Sequence, residues 1–135
     1  MTTGETDLNR LLASMEPTLD PTVYVFITTK QPLTSLPLDR LQPQFIAQEE
    51  EGLTIVTAEP LAKSHGFEEV TFPCKKISLR IHSSLEAVGL IAAITNHLKS
   101  FKISTNVVSG YFHDHIYVPA DRAEDAMSAL RDFSK

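Results

Sequence analysis

The chain has 135 residues, a formal net charge of -5 at neutral pH and one cysteine, Cys74. This length fits one ordinary domain or two very small ones, and a hydrophobic content of 42% is sufficient for a packed core. The acidic balance argues against nucleic acid or an anionic membrane surface as the main partner. A single cysteine excludes an internal disulfide. No apolar run approaches the ~20 residues of a membrane span. Because the first residues have neither the basic region nor the apolar core of a signal peptide, we expect a cytoplasmic protein.

The first half of the chain predicts a helix, several strands and a proline-rich crossover. Apolar residues at helical spacing predict a helix over Asp7–Met15, and β-branched and aromatic residues predict a buried strand over Val23–Thr28. The three prolines that follow allow at most one short helical turn. A hairpin, a short helix and a further strand are then expected at Gln44–Gln48 with Leu53–Thr57, at Glu59–Gly66 and at Glu69–Phe72, where Pro73 ends the strand.

The second half predicts a β-α-β-β-α unit. Its elements are a strand over Ile77–His82, a helix over Ser83–Ser100 with Gly89 in its interior, strands over Ser104–Tyr111 and His115–Val118, and a helix from Asp121. Pro73 and Cys74 form the best candidate boundary, which divides the chain into predicted domains at 1–73 and 74–135.

A weak internal repeat relates the two halves. Leu53–Glu59 aligns without gaps onto His115–Asp121, and both segments are predicted to lead from a hairpin strand into a helix. We therefore predict an α+β fold of two ferredoxin-like βαββαβ units, with antiparallel sheets and with the helices packed on one face.

The start of the long predicted helix is a candidate anion site. Ser83-Ser84-Leu85-Glu86 fits a capping box, and the simplest interpretation is that it starts the helix. Alternatively, free backbone N–H groups near Leu85, Glu86 and Ala87 hold a carboxylate or phosphate. Glu86 places a negative charge at the same place, so a ligand that also carries a cationic amine would ease the conflict.

The following strand offers polar contacts for the same ligand. Asn106 has both a donor and an acceptor, as the binding of an α-amino group and a carboxylate requires, and Ser109 and Gly110 leave the strand edge open. The alternative is an edge strand at the beginning of its turn.

Two further groups have chemical potential of their own. His113 and His115 could converge on a metal ion with His82 as a third ligand, although Asp and His are also ordinary residues of a hairpin turn. Cys74 is followed by two lysines, which could lower the pKa of its thiol, although one thiol without an identified base partner is more often incidental. No nucleophile–base pair and no glycine-rich phosphate loop is present, so we expect neither an enzyme nor a cofactor.

The run from Ile77 to Val118, with its strand, its loop of His82 to Leu90 and its entry to the second strand at Ile103 to Val107, resembles an ACT domain. ACT domains are small regulatory modules that bind amino acids in aspartate kinase and other amino-acid pathway enzymes. The whole chain resembles short bacterial proteins that consist of two ACT-like units, and it is similar to the ACT repeats of the animal cytosolic arginine sensor. The first half is a divergent version.

The resemblance implies a non-enzymatic regulatory module that binds an amino acid at the interface between ACT units, in a homo-oligomer. Alternatives are an assembly module without a ligand and a metal-binding protein that uses the three histidines. The residues that the resemblance assigns to the ligand are His82, Ser83, Ser84, Leu85, Glu86, Ala87, Val88, Gly89, Asn106, Val107, Val108, Ser109 and Gly110.

Overall fold

The computed structural model describes residues 4–80 and 89–133. Its α-helices are α1 (Gly4–Ala13), α2 (Leu38–Leu41), α3 (Glu59–Ser64), α4 (Leu90–Ser100) and α5 (Ala123–Phe133). Its strands are β1 (Pro17–Leu19), β2 (Tyr24–Thr29), β3 (Phe45–Glu49), β4 (Gly52–Ala58), β5 (Thr71–Leu79), β6 (Asn106–Ser109) and β7 (Asp114–Pro119). Short 3-10 turns lie at Leu33–Ser35 and Ala120–Arg122. None of the described helices has the length and hydropathy needed to cross a membrane.

The chain forms two compact units. The central unit is Thr22–Cys74, and the terminal unit joins the segment that ends at Pro21 to the segment that begins at Lys75. The predicted domains, 1–73 and 74–135, place the residues before Pro21 in the first domain, whereas these residues group with the second half. The physical reason is the apolar stripe of α1, whose residues Leu12 and Met15 are buried in the core of the terminal unit.

The central unit contains the antiparallel strand order β3–β4–β2, with the first residues of β5 beside β2. Val25, Ile27, Leu53 and Ile55 share one hydrophobic cluster with Leu36 from the crossover and Ala62 from α3, so the helical segments cover this face of the strands. The β3–β4 turn needs glycine because a Cβ on Gly52, at φ +151°, would lie 2.7 Å from the carbonyl oxygen of Thr29.

The terminal unit has the strand order β1–β5–β7–β6. Alternate residues of its strands, among them Ile77, Leu79, Ile116 and Val118, face α4 and α5 in one core cluster. The antiparallel sheet and the helices on one face confirm the predicted α+β class. The two aligned segments of the repeat also confirm their prediction, since β4 leads directly into α3 and β7 leads directly into the turn before α5.

The structure corrects the prediction at Pro73, where one strand was expected to end. β5 continues from Thr71 through Pro73 to Leu79. Phe72 has a φ of +56°, and the pairing register of β2 with β5 shifts between Tyr24 and Phe26. This irregularity lets the strand accommodate a residue without an N–H group, because a bulge leaves one position out of the hydrogen-bond ladder. The three-residue strand β1 was not predicted.

The start of α4 differs from the prediction as well. The sequence predicts a helix from Ser83 with Gly89 in its interior, whereas α4 begins at Leu90 and Gly89 precedes it at φ +95°. A left-handed residue cannot lie within a right-handed helix, and glycine adopts this conformation at little cost. The last helix also begins later than predicted: Asp121 lies in a 3-10 turn and α5 starts at Ala123.

Candidate functional site

The N-terminus of α4 is the part of the predicted site that the structure describes. Residues His82 to Val88, including the predicted capping box, lie outside the described residues. The backbone N–H of Ala93 donates to the carbonyl oxygen of Gly89 at 2.9 Å, so the N–H groups of Leu90, Ile91 and Ala92 have no partner within the helix. The first turn of α4 contains no acidic residue, and no side chain of Gly89 can cap it. The positive end of the helix dipole is therefore not neutralised from within this turn.

The second part of the predicted site is β6, which pairs with β7 on one side. Asn106 lies opposite Tyr117, and Ser109 lies opposite Asp114. The backbone N–H of Gly110 donates to the carbonyl oxygen of His113 at 2.9 Å and closes the hairpin. Because Val107 packs against the core of the unit, its neighbours Asn106 and Val108 lie on the other face of the strand. β6 has no second neighbour among the described strands and is an edge strand.

These two parts flank opposite ends of α4. Gly89 precedes the N-terminus of the helix, whereas Asn106 follows its C-terminus, where the N–H of Ile103 donates to the carbonyl oxygen of Leu98. An 11-residue helix is about 16 Å long. A strand that follows a crossover helix runs back along it, so we expect Ser109 to lie nearer than Asn106 to the Gly89 end.

The predicted histidine group is only partly described, because His82 lies outside the described residues. His115 Nδ1 lies 2.8 Å from Ser78 Oγ on β5. Burial lowers the pKa of His115 below its ordinary value, and Lys76 and His113 add to this effect while Asp114 opposes it. Within the part of the chain that the structure describes, the buried Nδ1 atom of His113 has no hydrogen-bond partner. Among residues 4–80 and 89–133, no group of three His, Cys, Asp or Glu side chains could hold a metal ion.

The environment of Cys74 favours the second of its two interpretations, that of an incidental thiol. Its side chain is fully buried, and its Sγ lies 3.4 Å from the carbonyl oxygen of Tyr24. Burial raises the pKa of Cys74 to about 12, because a thiolate would lose its hydration. The adjacent lysines do not outweigh this effect, and the thiol is protonated at neutral pH.

The central unit contains a cavity of about 480 Å³ that the sequence analysis missed. The sequence signal is poor there, since Glu68 and Glu69 suggest only a solvated loop and the start of a strand. The cavity is lined by residues of β2 and β4, of the segment after α3 and of the first position of β5, namely Phe26, Ile27, Thr28, Thr54, Gly66, Phe67, Glu68, Glu69 and Thr71.

The chain is similar to several solved structures. One is a protein of unknown function from Vibrio cholerae, described as a possible transport protein, with 39% identity, a TM-score of 0.88 and coverage of 98% of this chain and 100% of that one. A protein from Agrobacterium tumefaciens has 16% identity and a TM-score of 0.70 over 89% of each chain. The ligand-free regulatory subunit of aspartate kinase from Thermus thermophilus has 13% identity and a TM-score of 0.68, over 90% of this chain and 97% of that one, which shows a shared fold.

Family comparison gives the same result from the sequence. No curated protein matches the chain. ACT-domain families match residues 3–75 and residues 70–132, so both halves have the pattern, including the divergent first half. Together with the antiparallel sheets covered by helices on one face, these matches show that the chain belongs to the ACT-domain family and consists of two tandem ACT domains.

Proposed function

We propose that this protein is a non-enzymatic regulatory module whose terminal unit binds a free amino acid. The observation that carries the proposal is the N-terminus of α4, where three backbone N–H groups have no partner within the helix and no acidic residue lies in the first turn. Such a helix end binds a carboxylate through hydrogen bonds and through its dipole. Membership of the ACT-domain family supports the amino-acid class of ligand.

The geometry of α4 favours a site that two copies of the chain complete. Gly89 and Asn106 flank opposite ends of a helix about 16 Å long, which exceeds the span of one amino acid. A single copy therefore cannot offer both to one ligand, whereas the β6 segment of a second copy could meet the α4 N-terminus of the first. The open edge of β6 supports such pairing between copies, because an edge strand has free backbone groups. The expectation that residues His82 to Val88 contact the ligand stays a prediction.

A thermal-shift panel of the twenty amino acids, followed by calorimetry with any positive ligand, tests the proposal. A specific ligand raises the melting temperature as it saturates the folded protein. The test variant is Ala92→Glu, since Ala92 is exposed in the first turn of α4 and a carboxylate there competes with that of the ligand. We expect about tenfold weaker binding, while the neutral control Ala92→Gln binds like wild type. The proposal is wrong if no amino acid shifts the melting temperature at millimolar concentration, or if both variants bind equally well.

One observation favours a second function, that of an assembly module without a ligand. Tyr111 and Phe112, in the β6–β7 turn, are 81% and 69% exposed and contact each other edge to face, with ring centroids 5.0 Å apart. Paired exposed aromatic side chains mark association surfaces, because removing their apolar surface from water is favourable.

Light scattering tests whether the aromatic turn is an association surface. Tyr111→Ser with Phe112→Ser should lower the measured mass of an oligomer, whereas the control Leu33→Ser, at an exposed apolar residue of the central unit, should not. If the oligomer persists in every variant and Asn106→Ala changes nothing in the thermal-shift panel, the aromatic turn is not an association surface and β6 does not contribute to the ligand site.

A further inference from the structure

The cavity of the central unit lies outside the amino-acid site, and its position follows from strand pairing. The last residue of β2 that pairs with β5 is Phe26, opposite Thr71. β2 nevertheless continues to Thr29, while the chain before Thr71 is the loop that contains Glu68 and Glu69. Ile27 and Thr28 pair with β4 on one side, and no strand of residues 4–80 and 89–133 pairs with them on the other, where the space of about 480 Å³ lies. This volume falls within the roughly 300–1,000 Å³ of small-molecule pockets.

The threonine hydroxyls of this cavity act as acceptors. Thr28 Oγ1 donates its proton to the carbonyl oxygen of Leu53 at 2.8 Å. Thr54 Oγ1 donates to the carboxylate of Glu49. A hydroxyl has one proton and two lone pairs, so both oxygens can only accept a further hydrogen bond from a ligand.

The remaining lining adds negative charge and aromatic surface. Glu68 and Glu69 are exposed, and neither carboxylate has an ion-pair partner within residues 4–80 and 89–133. Phe26 and Phe67 line the same cavity, and the face of an aromatic ring attracts a cation. The side-chain polar atoms are thus acceptors, two of them anionic, beside an apolar wall.

We propose that this cavity binds an organic cation, an alkyl amine or alkyl guanidine without a carboxylate. The ammonium or guanidinium group donates to Glu68, Glu69 and the threonine oxygens, and the alkyl chain lies against the phenylalanine rings. A carboxylate on the same ligand would meet two like charges, so a zwitterion binds less well. This ligand class differs from that of the α4 site, and the inference goes beyond the proposed function.

Calorimetry at low ionic strength tests this inference with cadaverine, agmatine and 5-aminopentanoate. Cadaverine and 5-aminopentanoate have similar chains but differ at one end, where an amine is replaced by a carboxylate. We expect both cations to bind, and the zwitterion to bind about fivefold more weakly or not at all. Added salt should weaken the binding of the cations. Failure of both cations to bind at millimolar concentration, or equal binding of cadaverine and 5-aminopentanoate, overturns the inference.

A matched pair of double variants locates the binding. Glu68→Gln with Glu69→Gln removes both cavity charges and should weaken the binding of cadaverine about fivefold. Glu50→Gln with Glu51→Gln removes two charges from an exposed hairpin turn of the same unit and should have no such effect. Equal losses in the two pairs would mean that only net charge matters and would contradict the site.

Two further variants keep this test separate from that of the amino-acid site. Phe67→Leu should weaken the binding of agmatine about twofold to fivefold, because it removes a ring but retains an apolar side chain. Ala92→Glu, which tests the α4 site, should leave cadaverine binding unchanged. Either site can therefore fail while the other is retained.

Discussion

The two ACT units differ most in the connection between their first and second strands. In the terminal unit this connection contains α4, with Leu90, Ile94 and Leu98 buried along one stripe. In the central unit it contains a 3-10 turn and the four-residue α2, because the prolines of this segment stop a longer helix. The unit nevertheless keeps its antiparallel strands and the core beneath α3. An ACT unit thus tolerates the loss of its first helix when isolated buried residues such as Leu36 fill the space.

Matched leucine deletions should show the largest effect of this difference. Leu98→Ala in α4 should reduce the free energy of unfolding by about 3–5 kcal/mol, since Leu98 is fully enclosed by a core of several helices and strands. Leu36→Ala should cost about 2 kcal/mol, because Leu36 lies between the 3-10 turn and α2, is 8% exposed, and has neighbours that can relax into the space left by its side chain. Urea denaturation measures both. Equal losses would mean that the short crossover is packed as firmly as α4.

A glycine in the central hairpin sharpens the comparison. Gly52 precedes the repeat segment at the position that Asp114 occupies in the terminal unit. Gly52→Ala should cost about 2 kcal/mol, because its Cβ would lie 2.7 Å from a backbone oxygen that the β-sheet holds in place. Gly66→Ala should cost about 1 kcal/mol from conformation alone, because Gly66 has φ +86° and a Cβ there would meet no atom of the described residues within 4 Å apart from its chain neighbours. The reverse order in denaturation experiments would contradict the close contact.

The terminal unit should also be the source of a pH dependence. The pKa of His115 lies below its ordinary value of 6.5, so protonation favours the unfolded chain. The free energy of unfolding should therefore be highest above pH 6.5 and should fall as the pH drops through 6.5 toward the folded pKa. Denaturation between about pH 7.5 and 5.5 should show this slope, and His115→Asn should reduce it. An equally steep slope in the variant would assign the effect to other groups.

Exposed ion pairs should give the smallest difference between the units. Arg122 Nε lies 2.9 Å from Asp125 Oδ2 in the terminal unit, and Lys63 Nζ lies 3.8 Å from Glu59 Oε2 in the central unit. Double-mutant cycles should give about 0.5 kcal/mol for the first pair and less for the second, since solvent screens both. A coupling of several kcal/mol in either pair would show that it is better shielded than its exposure indicates.

Periodicity and turn residues predicted the element types because both are local signals. The strand–helix transitions at Leu53–Glu59 and His115–Asp121 were found in this way. The prediction at Pro73 failed because it depended on tertiary context. A proline such as Pro73 normally ends a strand, yet β5 continues beyond it because there is a bulge at Phe72. That bulge belongs to the pairing of β5 with β2, which a local pattern does not reveal.

The partner of α1 could not be predicted either. Its apolar stripe fixes which side is buried, but not that Leu12 and Met15 join the core formed by the second half of the chain. For the site, the sequence indicated a helix N-terminus but placed it at Ser83, because a capping box is a stronger local signal than Gly89. The cavity was not predicted because residues from three separate segments form it. No local pattern indicates that β5 begins opposite Phe26 and leaves the rest of β2 without this neighbour.

The grouping of α1 with the C-terminal helices has a consequence for biosynthesis. Leu12 leaves the ribosome long before Leu130, yet both belong to the same core cluster. The central unit can fold while it is being translated, whereas the leucines of α1 must wait for the last helix to emerge. Long-range contacts of this kind slow folding and leave apolar surface open in the nascent chain. During synthesis, therefore, the first helix is the segment for which a chaperone would matter most.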